Sequence, residues 1–469
     1  MTGRPLAGRA RRAAPRALDV ALVLAAAALY LAWVSHGDLT GTLPGGSTVA
    51  YAVLGGLVAA LAVARLAATG ALARLRVAAR ADPAPWLLAT IVLAALALRL
   101  APLAPPAAPD LARERAALAA TQHILTTGDF TPPTFAVPSL LLYLQTAAGS
   151  AAFLLGVSAG RWQEVGALHP ADLAASARLL NALLGALTVA LVYVAGRRLY
   201  GRRAGLLAAL LLAVSPLAWL AARAATGDAL ATLAGIAAFL VGVGSRESAV
   251  GSTGFRRPPR STTARPVLPS AVCRPPSAVL LGVAAGVRPA LALLAVPLLI
   301  VALTRRPRPP AWGWGLLAGG MVVGYLIAVP YALAGLPGWL DAGAAAAREY
   351  DLRVAPGTLG LLVRQIPAAL LLLARQDPLT ALVGGAGALL ALARRGRPDL
   401  LLLAFLVPSG ALLLLHRDLL AWQFAPYVPF LALLGGTALD AGWTLLAGGM
   451  RPRRTRPARR PAGATATRS

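Results

Sequence analysis

The chain has 469 residues, 58% of them hydrophobic, with a mean hydropathy of +0.70, which excludes an ordinary soluble domain and indicates a polytopic membrane protein. Its net charge of +27 would suit a nucleic-acid binder, but the 44 basic residues are all Arg and sit in short clusters without interleaved aromatics, so no nucleic-acid role is expected. A single cysteine, Cys273, excludes an internal disulfide, and four scattered histidines exclude a His-rich metal cluster.

Thirty-one of the 44 arginines fall in seven stretches, 1–17, 68–85, 197–203, 245–276, 304–310, 394–399 and 451–469. Those stretches hold only Asp82, Glu247 and Asp399 among the 17 acids. Such asymmetry is the positive-inside pattern, and it assigns both termini to the cytoplasmic side of a cell inner membrane.

A first span is expected over 18–35; it is long enough to cross and lacks a small-residue cleavage site, so it does not read as a removable signal peptide. A second, 48–67, returns to a basic turn, and a third, 86–104, delivers Asp110 and Glu114 to the outer face. Two apolar stretches, 138–156 and 174–196, precede the cytoplasmic GRRLYGRR, and parity lets only one of them cross. The longer, 174–196, is followed by the Arg cluster and is taken to span. The other, with Tyr143, Gln145, Thr146 and Ser150 inside it, is expected to lie along the outer surface.

The span 204–222 ends in LAARAATGD, which puts Arg223 and Asp228 at the outer face, and 230–244 returns to the Pro-rich linker 245–276. Segment 278–303 is too short for two full spans at ~1.5 Å per residue, yet basic segments flank it on both sides. A helical hairpin broken at Arg288-Pro289 reconciles the two, with Arg288 at its tip. Next, 312–332 exits; 359–374, carrying Arg364 and Gln365, is expected to be interfacial; 379–393 spans. Then 400–415 leads out to His416-Arg417-Asp418, and a last span from 423 returns to the Arg-rich tail. The fold class is therefore all-α, a polytopic membrane protein with about 12 transmembrane segments and two juxtamembrane helices on the outer face. Its expected organisation is an N-terminal helix pair, 1–85, a transmembrane domain, 86–446, with outer loop 105–173, and a basic cytoplasmic tail, 447–469.

Carboxylates just outside a membrane helix are costly to misplace, which makes Asp110, Glu114 and Asp228 site candidates. Helix capping is the structural alternative for Asp110 and Asp228, and snorkelling to headgroups that for Arg288. Arg223 either pairs with Asp228 or grips an anion. The three acids offer hard oxygen ligands for a divalent metal ion, although spacing alone does not make them converge. No Gly-rich phosphate-cradling loop occurs.

Pro109-Asp110, then LTTGDFTPPTF, then VPSLLLYLQ follow one another in the outer loop. Together they resemble the first outer loop of lipid-carrier-dependent glycosyltransferases of the GT-C superfamily, the group of protein O-mannosyltransferases and bacterial aminoarabinose transferases (glycosyltransferase family 39 type). The resemblance continues through ARLLNALLGALTVALVYVAGRRLYGRRAGLLAALLLAVSPLAWLAARAATGDALATL, GVAAGVRPALALLAVP, AVPYAL and FAPYVPFLALL, and covers residues 86–440. Four positions depart from the family pattern. Leu111 follows Asp110 where the family has Glu, leaving Glu114 as the alternative acid; Val137 precedes Pro138 where a basic residue is common; and Trp422-Gln423 stands where many members have Arg-Tyr.

The resemblance implies inverting transfer of a sugar from a polyprenyl-phosphate donor to a hydroxyl of a glycan, lipid or protein acceptor, among membrane lipids at the outer leaflet. It implies Asp110, or else Glu114, as the base, Arg288 and Arg223 on the lipid phosphate, and Asp228 as a second acid that orients the acceptor or holds a metal. Two other readings stay open: a transporter or flippase for a lipid-linked saccharide, for which no internal repeat is found, and a non-catalytic GT-C-like envelope protein.

Overall fold

The computed structural model describes residues 82–100, 108–158, 160, 162–164, 170–243, 275–304, 311–348 and 358–449. The spans expected over 18–35 and 48–67, the linker up to residue 274 and the tail from residue 450 lie outside the described residues. Among those described, fifteen α-helices and three 3-10 turns occur and no strand. The all-helical fold class holds.

Helix α1 (Ala84–Leu100) leads to α2 (Ala108–Thr127) and α3 (Ser139–Ser158), which fill the polar loop. The 30-residue α4 (Pro170–Leu199), ~45 Å long, is the longest strut of the bundle. Helices α5 (Arg202–Val214) and α6 (Pro216–Arg223) form one unit bent by 59° at Ser215, and α7 (Asp228–Val243) follows. After the linker come α8 (Pro275–Val287), a 3-10 turn (Pro289–Leu294), α9 (Ala295–Thr304) and α10 (Ala311–Ala328). The chain then makes α11 (Leu336–Ala347), α12 (Thr358–Gln376), α13 (Pro378–Arg394), α14 (Arg397–Leu413), a 3-10 turn (Ala421–Phe424) and α15 (Val428–Gly449). Helix α11 was not anticipated from the sequence.

Helices α3, α4 and α15 are each long and apolar enough to cross a membrane, and the bent α5–α6 pair is long and apolar enough when taken as one unit. Shorter apolar helices, α1, α7, α8, α10 and α13 among them, pack alongside. The outward faces are apolar: Leu382 and Leu389, seven residues apart on α13, are 75% and 70% exposed. Exposed leucines at helical spacing around a bundle make a surface solvated by lipid, as in an integral membrane protein.

Two interruptions shape the end of the bundle that holds the site. At Ser215 the backbone is extended and Pro216 has no N–H to give the preceding turn. The Ser215 hydroxyl accepts from the Ala218 N–H at 3.2 Å and donates to the buried Asp377 carboxylate, which itself caps α13 by accepting from the Thr380 N–H at 3.0 Å. At Arg288 the chain is again extended, with φ −148°, between α8 and the 3-10 turn. Val287 lies against Gly227 at the start of α7, Leu291 and Leu294 against Gly235, and Leu298 against Gly242. The chain beyond Arg288 therefore runs back along α7, and Arg288 occupies the tip of a hairpin.

Helix α3 meets the length of a span, yet several of its contacts lie at the site end of the bundle. Leu141 packs toward Gly227, Gln145 donates to the Ala225 carbonyl, and Gly149 sits against Leu125 and Leu173. That set of contacts matches a helix laid across the helix ends. The interior is closed by aromatic packing: Phe430 of α15 lies 5.5 Å from Phe239 of α7 and 4.5 Å from Phe405 of α14, centroid to centroid. At the far end Tyr200 donates to Asp399 at 2.9 Å, and Arg394 reaches both Asp399 and Thr437 at 3.1 Å. Burial there pushes the Tyr200 phenol upward.

Candidate functional site

The site is built on the short turn 224–227 between α6 and α7. A turn at this depth exposes carbonyls that need donors. Asn181 of α4 donates its side-chain amide to the carbonyls of Ala224 and Thr226, and Gln145 of α3 donates to that of Ala225 at 3.0 Å. Thr121 of α2 donates in turn to the Gln145 carbonyl oxygen at 3.0 Å. Gln145, expected at an interface, is instead fully buried in this network.

The fixed turn presents Asp228 as the first residue of α7, and Thr226 donates its hydroxyl to Asp228 Oδ2 at 3.1 Å. Arg113 of α2 then grips the carboxylate with both ends of its fork, Nη1 to Oδ2 at 3.0 Å and Nη2 to Oδ1 at 3.3 Å. Arg288, at the hairpin tip, donates to Oδ1 from the other side. Both guanidiniums also lie over the ring of Trp422, that of Arg113 at 3.9 Å and that of Arg288 at 4.8 Å from its centroid. One carboxylate and one indole thus hold two arginines from elements far apart in the chain.

A second pair lies beside the first. Glu114, only 2% exposed, accepts from Arg178 Nε of α4 at 2.7 Å, while its Oε2 has no hydrogen-bond partner among the described residues. Arg223 stands within electrostatic reach of Arg178 and Glu114 and lies over the Trp219 ring at 4.7 Å. Trp219 in turn donates its indole N–H to the Leu98 carbonyl of α1. The two adjoining clusters bring together four arginines, 113, 178, 223 and 288, and two carboxylates, Glu114 and Asp228, so within them positive charge is in excess.

The loop before α15 supports Trp422. Gln423 accepts from the Leu420 N–H at 3.0 Å, and its amide meets His416 Nδ1 and the Asp418 carbonyl, both at 3.2 Å. Gln365 of α12 donates to the His416 carbonyl at 3.2 Å. Burial, with Arg288 nearby, pushes the His416 pKa down to about 4, so the ring is neutral at physiological pH.

Of the residues expected at the site, Asp228 and Arg288 meet directly, with Glu114 and Arg223 in the adjoining cluster. Asp228 pairs with Arg113 and Arg288, while Arg223 lies over Trp219, its i−4 neighbour on α6. Asp110 is the third residue of α2, one turn before Glu114, so it is not the cap of that helix; its side chain lies outside the described set. Arg113, Arg178, Asn181 and Trp422 were not expected as site residues. Arg113, beside Glu114, and Trp422, at a departure from the family pattern, carried a visible signal; Arg178 and Asn181 carried none, since only the meeting of α2, α4 and α6 gives them a role.

Among the described residues no three His, Cys, Asp or Glu side chains gather as metal ligands. Both oxygens of Asp228 accept from guanidiniums, whose charge opposes a divalent cation at that carboxylate.

The family model described as dolichyl-phosphate-mannose-protein mannosyltransferase matches residues 171–246, which run from α4 through α7 and include Arg178, Asn181, Arg223 and Asp228. That match supports the GT-C resemblance seen in the sequence. No curated protein matches the chain. Among solved structures, it is similar to ArnT from Cupriavidus metallidurans in the apo state, at 20% identity over 79% of this chain and 63% of that one, with a TM-score of 0.49. The same protein bound to undecaprenyl phosphate gives 20% identity over 78% and 62%, with a TM-score of 0.45. The apo oligosaccharyltransferase of Archaeoglobus fulgidus gives 16% identity over 78% and 51%, with a TM-score of 0.45. The chain thus spans less than two thirds of the length of these proteins.

Proposed function

We propose that this chain is a membrane glycosyltransferase of GT-C type that moves a sugar from a polyprenyl-phosphate donor to an acceptor hydroxyl. The observation that carries the reading is the pairing of Arg113 and Arg288 on Asp228 at one end of an apolar bundle, within the family-matched segment or against it. A lipid-phosphate donor needs its tail in lipid and its phosphate at the interface, so arginines at helix ends suit it. The positive-inside pattern assigns that end to the outer face.

In this reading the phosphate docks on Arg288 and Arg113, with Arg223 flanking it. The acceptor oxygen attacks the anomeric carbon opposite the phosphate, and the sugar–phosphate C–O bond breaks. Its electron pair goes to the phosphate oxygen, where guanidinium N–H donors stabilise the gathering charge. The hydroxyl proton passes to a carboxylate, base catalysis typically worth ~10²–10⁴-fold. The anomeric centre inverts and no enzyme nucleophile is needed.

Asp110 is the base in this assignment. Glu114 is buried and committed to Arg178, so it positions α2 against α4 and does not meet the acceptor. Asp228 holds the two arginines apart and in plane until the phosphate takes over some of their N–H groups. The experiment is reconstitution of the full chain in liposomes with a panel of polyprenyl-phosphate sugars, following release of free polyprenyl phosphate. Release that depends on an acceptor and disappears in Asp110→Asn supports the reading. Movement of the intact lipid-linked saccharide across the bilayer without bond cleavage would replace it with a flippase.

A further inference from the structure

We propose that Trp422 is a positioning residue for the donor phosphate, holding Arg113 and Arg288 by its ring face so that their N–H groups are free to change partners. The inference rests on the glycosyltransferase reading and concerns the same site. It starts from a competition. In the structure Asp228 occupies Nη1 and Nη2 of Arg113 and Nη1 of Arg288, the same in-plane donors that a phosphate would use. A phosphate that takes those donors removes what fixes the arginines. A ring under the guanidinium attracts the cation through its face and consumes no N–H, so it keeps hold while the in-plane partners are exchanged.

Trp422 meets that requirement for two arginines at once, one from α2 and one from the hairpin tip. Its indole N–H is buried and has no hydrogen-bond partner among the described residues. The ring is therefore not tethered through its own donor. Its seat comes from its neighbours: Gln423 closes the 3-10 turn through Leu420, His416 and Asp418, and Gln365 ties that turn to α12. His416, the other ring near Arg288, is kept neutral and so adds no repulsion to the guanidiniums already there.

The test keeps the shape of the residue and changes only its electrostatics. Tryptophan carrying one, two or four ring fluorines is placed at position 422 alone in the full chain, and the protein is assembled in lipid nanodiscs. Affinity for undecaprenyl phosphate is then measured, because fluorine drains the ring face without altering its packing. The expected result is a stepwise loss reaching roughly 10-fold for the tetrafluoro ring, the scale of a partly desolvated cation–π contact. Trp422→Phe should lose less affinity than Trp422→Leu, since it keeps a ring face. An affinity that stays flat across the fluorine series, with binding intact, overturns this inference and leaves the glycosyltransferase reading standing. Absence of any undecaprenyl phosphate binding by the unmodified protein overturns both.

Discussion

Arg113 and Glu114 are adjacent in α2 yet bond in different directions, Arg113 to Asp228 at 3.0 Å and Glu114 to Arg178 at 2.7 Å. Consecutive helical residues point ~100° apart, so one turn of α2 ties together α7 on one side and α4 on the other.

Glu114→Gln should be a stability variant. It removes a charge-assisted bond to Arg178, whose side chain is 27% exposed and regains part of its hydration. The expected cost is about 1–3 kcal/mol, read as a lower thermal midpoint in nanodiscs, with turnover per folded molecule reduced less than ~10-fold. Asp110→Asn should do the opposite, losing ~10²-fold or more in turnover with the midpoint unchanged. The reverse pattern would make Glu114 the base.

Arg288→Lys keeps the charge but removes the planar fork and the guanidinium over Trp422. Donor KM is expected to rise roughly 10-fold, with a smaller change in kcat, because an ammonium meets one phosphate oxygen at a time. A KM equal to that of the unmodified enzyme would remove Arg288 from the phosphate site.

Much of this was legible in the chain, for reasons that differ by element. The break at Arg288-Pro289 could be read because proline interrupts a helix and the flanking charges demanded an even number of crossings; the structure has Arg288 in extended backbone there. The end of the α5–α6 unit was legible, but the 59° bend at Ser215 was not. Proline at position 216 permits a bend, and its angle depends on Asp377, more than a hundred residues later, accepting from Ser215. The pairing of Arg113 with Asp228 was hidden for the same reason: 115 residues separate them, and no local pattern encodes which of several arginines will arrive.

Cysteine at position 160, in a Cys273→Ser background, checks where α3 lies. Gly160 follows α3 with φ +73°, so the substitution strains the backbone mildly, and no side chain crowds it. A membrane-impermeant thiol reagent added outside intact cells should label it. Labelling only after permeabilisation would make α3 a true crossing and invert the assignment of everything between it and α4.

His416 gives the site end a pH signature. Its folded pKa of about 4 lies below the ordinary 6.5, so between those values the unfolded chain binds more protons than the folded one. Stability should therefore be independent of this residue above pH 6.5 and fall as the medium is acidified toward 4. Thermal midpoints measured across that range should show the fall, and His416→Gln should flatten it. An identical slope in both proteins would assign the titration to another group.

Gly324 links packing in the bundle to the position of Arg288. It faces the backbone of Val279, so any Cβ at 324 would collide with the Val279 carbonyl and force α10 away from α8. Small residues are what let two membrane helices approach this closely. Helix α8 ends at Val287, directly before Arg288, so a shift of α8 moves the hairpin tip relative to Asp228 and Trp422. Gly324→Val is expected to cost about 1–3 kcal/mol by overpacking and to weaken undecaprenyl phosphate binding in the same preparation. Gly319→Val, on the same helix with open space where its Cβ would go, should do neither. Binding that survives in Gly324→Val despite a lowered midpoint would mean that the tip is held by its bonds to Asp228 alone.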